Sequence, residues 1–172
     1  MWTSLPPLLK QYHSAKFNSL SLGFRYEDPK KAVKYFCTPK KAKIFASIGV
    51  DGIHYCTIPD FGETVFAVTP MTSAEHYVFP VAHDLTEFLQ MIAALRGTGL
   101  IDQAPLFTKE RFEELMREQA DTNEIEVKRL CETFNIEPLE GSPYDLVMGL
   151  YNNFDYSKIE YSREYYETLG LY

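Results

Sequence analysis

Four strand-like runs crowd into about forty residues: "IFASI" (44–48), "IHYCTI" (53–58), "TVFAVTP" (64–70) and "YVFPVA" (77–82). The links between them are only a few residues long. Parallel neighbours need crossovers of a dozen residues or more, so links this short point to antiparallel pairing. "GVDG" (49–52) joins the first two runs. Its glycines can adopt positive φ and Asp51-Gly52 suits a tight turn, which together read as a hairpin. Pro80 has no N–H to give to a ladder, so its run belongs at a sheet edge or strand end.

After Ala82 the period changes from two to 3.6. In "HDLTEFLQMIAALRGTG" Asp84 is the N-cap, with Glu87 three residues on, as in a capping box. Leu85, Phe88, Leu89, Ile92 and Leu95 share one helical face, and Gly97 and Gly99 stop the helix. A second helix opens at Thr108, with Phe112, Leu115 and Met116 as its apolar stripe. A third, capped by Thr122, buries Val127, Leu130, Cys131 and Phe134. A fourth has Ser142 as cap and Pro143 at its first position. A short helix is expected from Arg163 to Leu169, and another from Asp28 to Pro39, with Val33, Phe36 and Cys37 on one stripe. The fold class expected is α+β: an antiparallel sheet of about four to six strands flanked by helices, with extra C-terminal helices. At 172 residues the chain is the size of one domain.

The net charge of −7 speaks against nucleic acid as a general partner. The charge is uneven: residues 10–43 balance at +7 and residues 108–172 at −8. These are solvated faces that attract one another, or the acidic one meets a basic partner. "MWTSLPPLLKQYHSAKF" shows no apolar run of signal-peptide type, and no stretch approaches the ~20 apolar residues that span a bilayer. Cys37, Cys56 and Cys131 are widely spaced and include no CxxC, so a reducing, cytoplasmic setting is expected, with no membrane association.

His54 and Cys56 raise the question of catalysis. Strand alternation puts them on one face, about 7 Å apart at Cα. A thiol–imidazole pair needs contact at ~3 Å, and parallel side chains at i and i+2 do not readily converge to that. No glycine-rich or helix-start position lies beside Cys56 to lower its pKa. His13, His54, His76 and His83 show no HxH or HExxH spacing. His76 and His83 with Asp84 are the one conceivable two-His-one-carboxylate set. GxSxG, GxxxxGK[ST] and GxGxxG do not occur. No catalytic, cofactor-binding or metal-binding residue is therefore assigned, and no cofactor is expected. Partner contacts are expected instead from the loop acids Asp60, Glu63, Glu75 and Asp84 and from Tyr161, Tyr165 and Tyr166. Six of the twelve tyrosines lie between Tyr151 and Tyr172, and tyrosine is enriched at interfaces.

Taken in order, "IFASIGVDGIHYCTI", "VFAVTPM", "YVFPVAHDLTEFLQMIAAL" and "FTKERFEEL" resemble the SUKH superfamily. That group includes the yeast cell-wall assembly regulator and many bacterial immunity proteins. Its members carry a glycine-and-acid turn before a strand, here "GVDG". A later strand leads through an Ala–His/Ser–Asp/Asn–Leu–x–x–Phe step into an amphipathic helix, here "VAHDLTEFLQMI". The resemblance covers a core of about 42–115 and leaves about 116–172 as a C-terminal helical extension. It implies a curved antiparallel sheet with helices against it. It also implies a non-catalytic protein-binding module, in bacterial relatives one that neutralises a cognate toxin, often a nuclease. The expected partner is thus a protein, such as a basic toxin or nuclease domain. Two other readings stay open. One is a small-molecule-binding or regulatory protein using the concave sheet face. The other is an enzyme built on His76, His83 and Asp84.

Overall fold

The computed structural model describes residues 7–171. Strands β1 (Arg25–Tyr26), β2 (Lys43–Ser47), β3 (His54–Thr57), β4 (Val65–Val68) and β5 (Val78–Ala82) form one antiparallel meander in the order β1-β2-β3-β4-β5. Helix α1 (Pro7–Ala15) precedes it. Helices α2 (Leu85–Leu95), α3 (Lys109–Glu118), α4 (Glu124–Phe134), α5 (Pro143–Asn153) and α6 (Arg163–Thr168) follow. The fold is α+β.

The sheet is covered on both faces, because alternate residues along its strands feed two separate cores. Tyr55, Val65, Ala67 and Phe79 meet Phe88, Leu89 and Ile92 of α2 in the larger one. Ile44, Cys56, Phe66, Val68 and Val78 meet Cys37, Ile58 and Ile159 in the smaller. The β2–β3 register shifts between Ile44 and Ala46, so Phe45 is an extra residue there. That bulge puts Phe45 and Ala46 together in the larger core. Phe88, Leu89 and Ile92 are fully buried and Leu95 nearly so, worth about 2 kcal/mol each on burial. Pro80 sits on the edge strand β5, where its missing N–H costs least.

Asp84 caps α2 by accepting the Glu87 N–H at 2.8 Å. Thr108 and Ser142 cap α3 and α5 through the N–H groups of Arg111 and Asp145. Thr122 does not cap α4. The cap position is Asn123 in the left-handed region, and the Thr122 hydroxyl donates to the Gln119 carbonyl. The Asn123 amide instead ties Ser21 and Arg96 together.

The expected helix at Asp28–Pro39 is not formed. The Asp28 carbonyl accepts the N–H groups of Lys31 and Ala32, closing one turn, and the chain then leaves the helix. One turn cannot offset the cost of helix nucleation. The Thr38 hydroxyl captures the Tyr35 N–H at 2.8 Å, an alternative to a helical bond. The irregular path sends Cys37 into the smaller core and leaves Val33 71% exposed. Strand β1 and helix α1 were not expected from the pattern. β1 is two residues long, below the length at which alternation shows.

Candidate functional site

The side chain that first raised the question of chemistry proves to be a clasp. His54 is buried on the smaller-core face. Its Nδ1 lies 2.7 Å from the Gly52 carbonyl, which can only accept, so Nδ1 carries the proton. Nε2 then accepts the Thr38 hydroxyl at 3.2 Å, and that hydroxyl accepts the Tyr35 N–H. Both ring nitrogens are used, and neither bond involves Cys56. Burial lowers the His54 pKa, and it pushes the Cys56 thiol up to about 12. The imidazole is neutral and the thiol protonated near neutral pH.

The clasp holds the β2–β3 hairpin tip against the 28–38 segment. The Tyr35 ring stacks on His54 with centroids 5.7 Å apart. It also lies so close to Gly52 (φ +68°) that a Cβ there would meet it at 2.7 Å. Position 52 therefore requires glycine for both backbone and space. Because the folded-state pKa of His54 is lowered, the stability it contributes is complete above the ordinary 6.5. It is lost as pH falls through the lowered value. Long-range 1H–15N spectra should show a neutral Nδ1–H imidazole below pH 6.5. A midpoint at or above 6.5 would contradict the burial of the ring, and the Nε2–H tautomer would contradict the clasp.

Two cavities flank this tip and share Asp51 and Ile53. The first, about 260 Å³, is lined by Arg25, Glu27, Val33, Tyr35, Ser47, Val50 and His54 among others. The Ser47 hydroxyl donates to Glu27 at 2.6 Å. The second, about 180 Å³, is lined by Thr69, Met71, Thr72, Ser73, Asp102, Gln103 and Leu106. Val33, Tyr35, Val50, Met71 and Leu106 are 42–78% exposed. They make up over half of the large exposed apolar side chains among the described residues, gathered at one end of the sheet.

Asp102 stands out there because it is only 5% exposed. The Tyr55 hydroxyl donates to it at 3.4 Å, long for an O–H···O bond. Burial raises its pKa to about 7 and raises that of Tyr55 as well. Sequence reading passed over Asp102. The available signal was an acid lodged in an apolar run, "GLIDQAPL".

The residues expected to meet a partner are spread out. Asp60 is bound to Lys41 at 2.8 Å, and Lys41 also reaches Glu160 at 3.7 Å, one place where the basic and acidic stretches meet. Glu63 and Asp84 share a small cavity with Leu8 and Leu9. Glu75 is exposed beside His76. Tyr161 and Tyr165 stack at 3.8 Å, with Tyr166 edge-on to Tyr165. Tyr165 also packs on Phe36 and Tyr77, so Tyr161 and Tyr165 help close the smaller core while Tyr166 is exposed.

The set of His76, His83 and Asp84 is not assembled. His76 stacks on Tyr156 at 3.5 Å, His83 Nδ1 lies 2.7 Å from Glu87, and Asp84 is committed to its cap. Among the described residues no group of three His, Cys, Asp or Glu is placed to hold a metal ion, and no helix is long and apolar enough to cross a membrane. No family model, curated protein or solved structure matches this chain.

Proposed function

We propose that this protein is a stoichiometric protein-binding module of the immunity type, which engages a basic toxin domain with the hairpin end of its sheet. The observation that carries the reading is the gathering of Val33, Tyr35, Val50, Met71 and Leu106 around two adjoining cavities. Contiguous exposed apolar side chains mark interaction surfaces, whereas scattered ones need no explanation. The His54 clasp supports the same reading. It fixes the tip before binding, so little conformational freedom is lost on association. The net charge of −7 favours long-range attraction to a basic partner, acting from outside the basic 10–43 stretch that supplies Val33 and Tyr35. The SUKH-like order of motifs supports the toxin class.

Binding within the concave sheet face is harder to support, because both faces are filled by the protein's own side chains.

The test is co-expression with the toxin-like product of a neighbouring gene. Growth should be rescued, and the purified pair should form a 1:1 complex. Val50→Asp with Met71→Asp, both at exposed positions, should weaken that complex at least ~10-fold through an uncompensated charge in the apolar contact. Absence of rescue by any neighbour would sink the proposal.

A further inference from the structure

The second cavity carries a more specific inference, which rests on the protein-binding reading above. Asp102 lines it while only 5% exposed, and the groups that favour its charge are neutral: its own backbone N–H and the Tyr55 hydroxyl at a long 3.4 Å. A carboxyl so deeply placed without a cation is costly to ionise and is normally matched by an opposite charge. The rest of the lining is mixed: Asp51 only accepts, while Thr72, Ser73 and Gln103 also carry donors. Thr69 already donates its hydroxyl proton to the Tyr77 carbonyl, and Thr72 Oγ1 accepts the Ala74 N–H. The Thr69 oxygen thus keeps lone pairs to accept with, while the Thr72 hydroxyl keeps its proton to donate. Asp51 stands at the boundary with the first cavity, and Met71, Ile53 and Leu106 supply apolar walls.

We propose that this cavity receives one arginine side chain of the protein partner, with Asp102 as its buried counter-charge. About 180 Å³ is small for a drug-sized molecule but suits a single side chain. A buried carboxyl beside apolar walls matches a cationic head on an aliphatic stem. Arginine fits better than lysine because its guanidinium is weakly hydrated and offers a planar fork of donors to a carboxylate. In the free protein the Asp102 carboxyl, with a pKa of about 7, lies ready to ionise when a cation arrives.

The test needs no partner. N-acetyl-arginine amide is titrated into the full-length 15N-labelled protein, with N-acetyl-citrulline amide as the neutral isostere. Saturable shifts are expected at the amides of Thr72, Ser73 and Gln103 with the arginine probe and not with citrulline. Asp102→Asn, which keeps the shape, should weaken arginine binding at least ~10-fold. No saturable shift, equal response to citrulline, or unchanged binding in Asp102→Asn would each overturn the proposal. Those failures would leave the growth-rescue test of the protein-binding function unaffected, so the two readings fail separately.

Discussion

Asp102→Asn is expected to stabilise the protein much more at pH 8 than at pH 5. Burial is the largest cause of the rise in the Asp102 pKa from 3.8 to about 7. The folded state therefore holds a proton that the unfolded chain has released, throughout the window between those values. A raised folded-state pKa gives stability that is complete below the unfolded value and is lost as pH rises through the folded one. Wild type thus carries most of the penalty for its buried charge at pH 8 and only part of it at pH 5. Asparagine never ionises and keeps an oxygen for the Tyr55 hydroxyl. At 1.36 kcal/mol per unit, the gain from Asp102→Asn should be larger at pH 8 by about 2–3 kcal/mol. Urea unfolding of both proteins at the two pH values reads that difference directly. An equal gain at both would mean that the carboxyl is solvated and is no buried counter-charge.

Retaining an acid at such a site suits a site that waits for a cation. A buried charge without a partner is a cost, and apolar or neutral replacements of buried charges are often neutral or stabilising. If Asp102→Asn strengthens the fold and weakens arginine binding together, the same group accounts for both effects. Stability and recognition then trade against each other at one side chain.

Legibility in the sequence followed the length scale of the signal. β2 to β5 and α2 to α5 were readable because alternation, helical stripes and caps such as Asp84 and Ser142 repeat over several residues. That His54 and Cys56 do not bond to each other was readable too, since strand geometry keeps i and i+2 side chains apart. The 28–38 segment misled because Asp28-Pro29 opens a helix convincingly. After one turn the Thr38 hydroxyl takes the Tyr35 N–H, and the chain carries Cys37 to the second face of the sheet. The hairpin-end site was not legible, since it joins residues near 33, 50, 71 and 102 that only the meander brings together. Asp102 was hidden for the same reason, as its burial depends on Tyr55, 47 positions away.

The C-terminal segment is structural in the strict sense, and removing it should abolish the fold. Residues after α5 close the smaller core: Ile159 is 5% exposed inside it, and Phe154, Tyr156, Tyr161 and Tyr165 pack against it. Phe154 meets Phe61 and Phe66 with centroids 5.1 and 5.3 Å away, and the backbone of Lys40 donates to the Glu160 carbonyl at 2.9 Å. Deleting 154–172 would leave Ile44, Cys56, Phe66, Val68 and Val78 facing water on one side of the sheet. Losing even two large core side chains costs about 4–10 kcal/mol, comparable with the whole stability of a domain. The truncated chain should lose its near-ultraviolet dichroism and bind a hydrophobic dye, as expected when specific packing fails. Ile159→Ala in the full chain gives the graded version, a loss of about 2–4 kcal/mol without loss of fold. A truncated protein that unfolds cooperatively with wild-type stability would show that the larger core suffices. The segment would then be an appendage, free to serve a partner with its tyrosines.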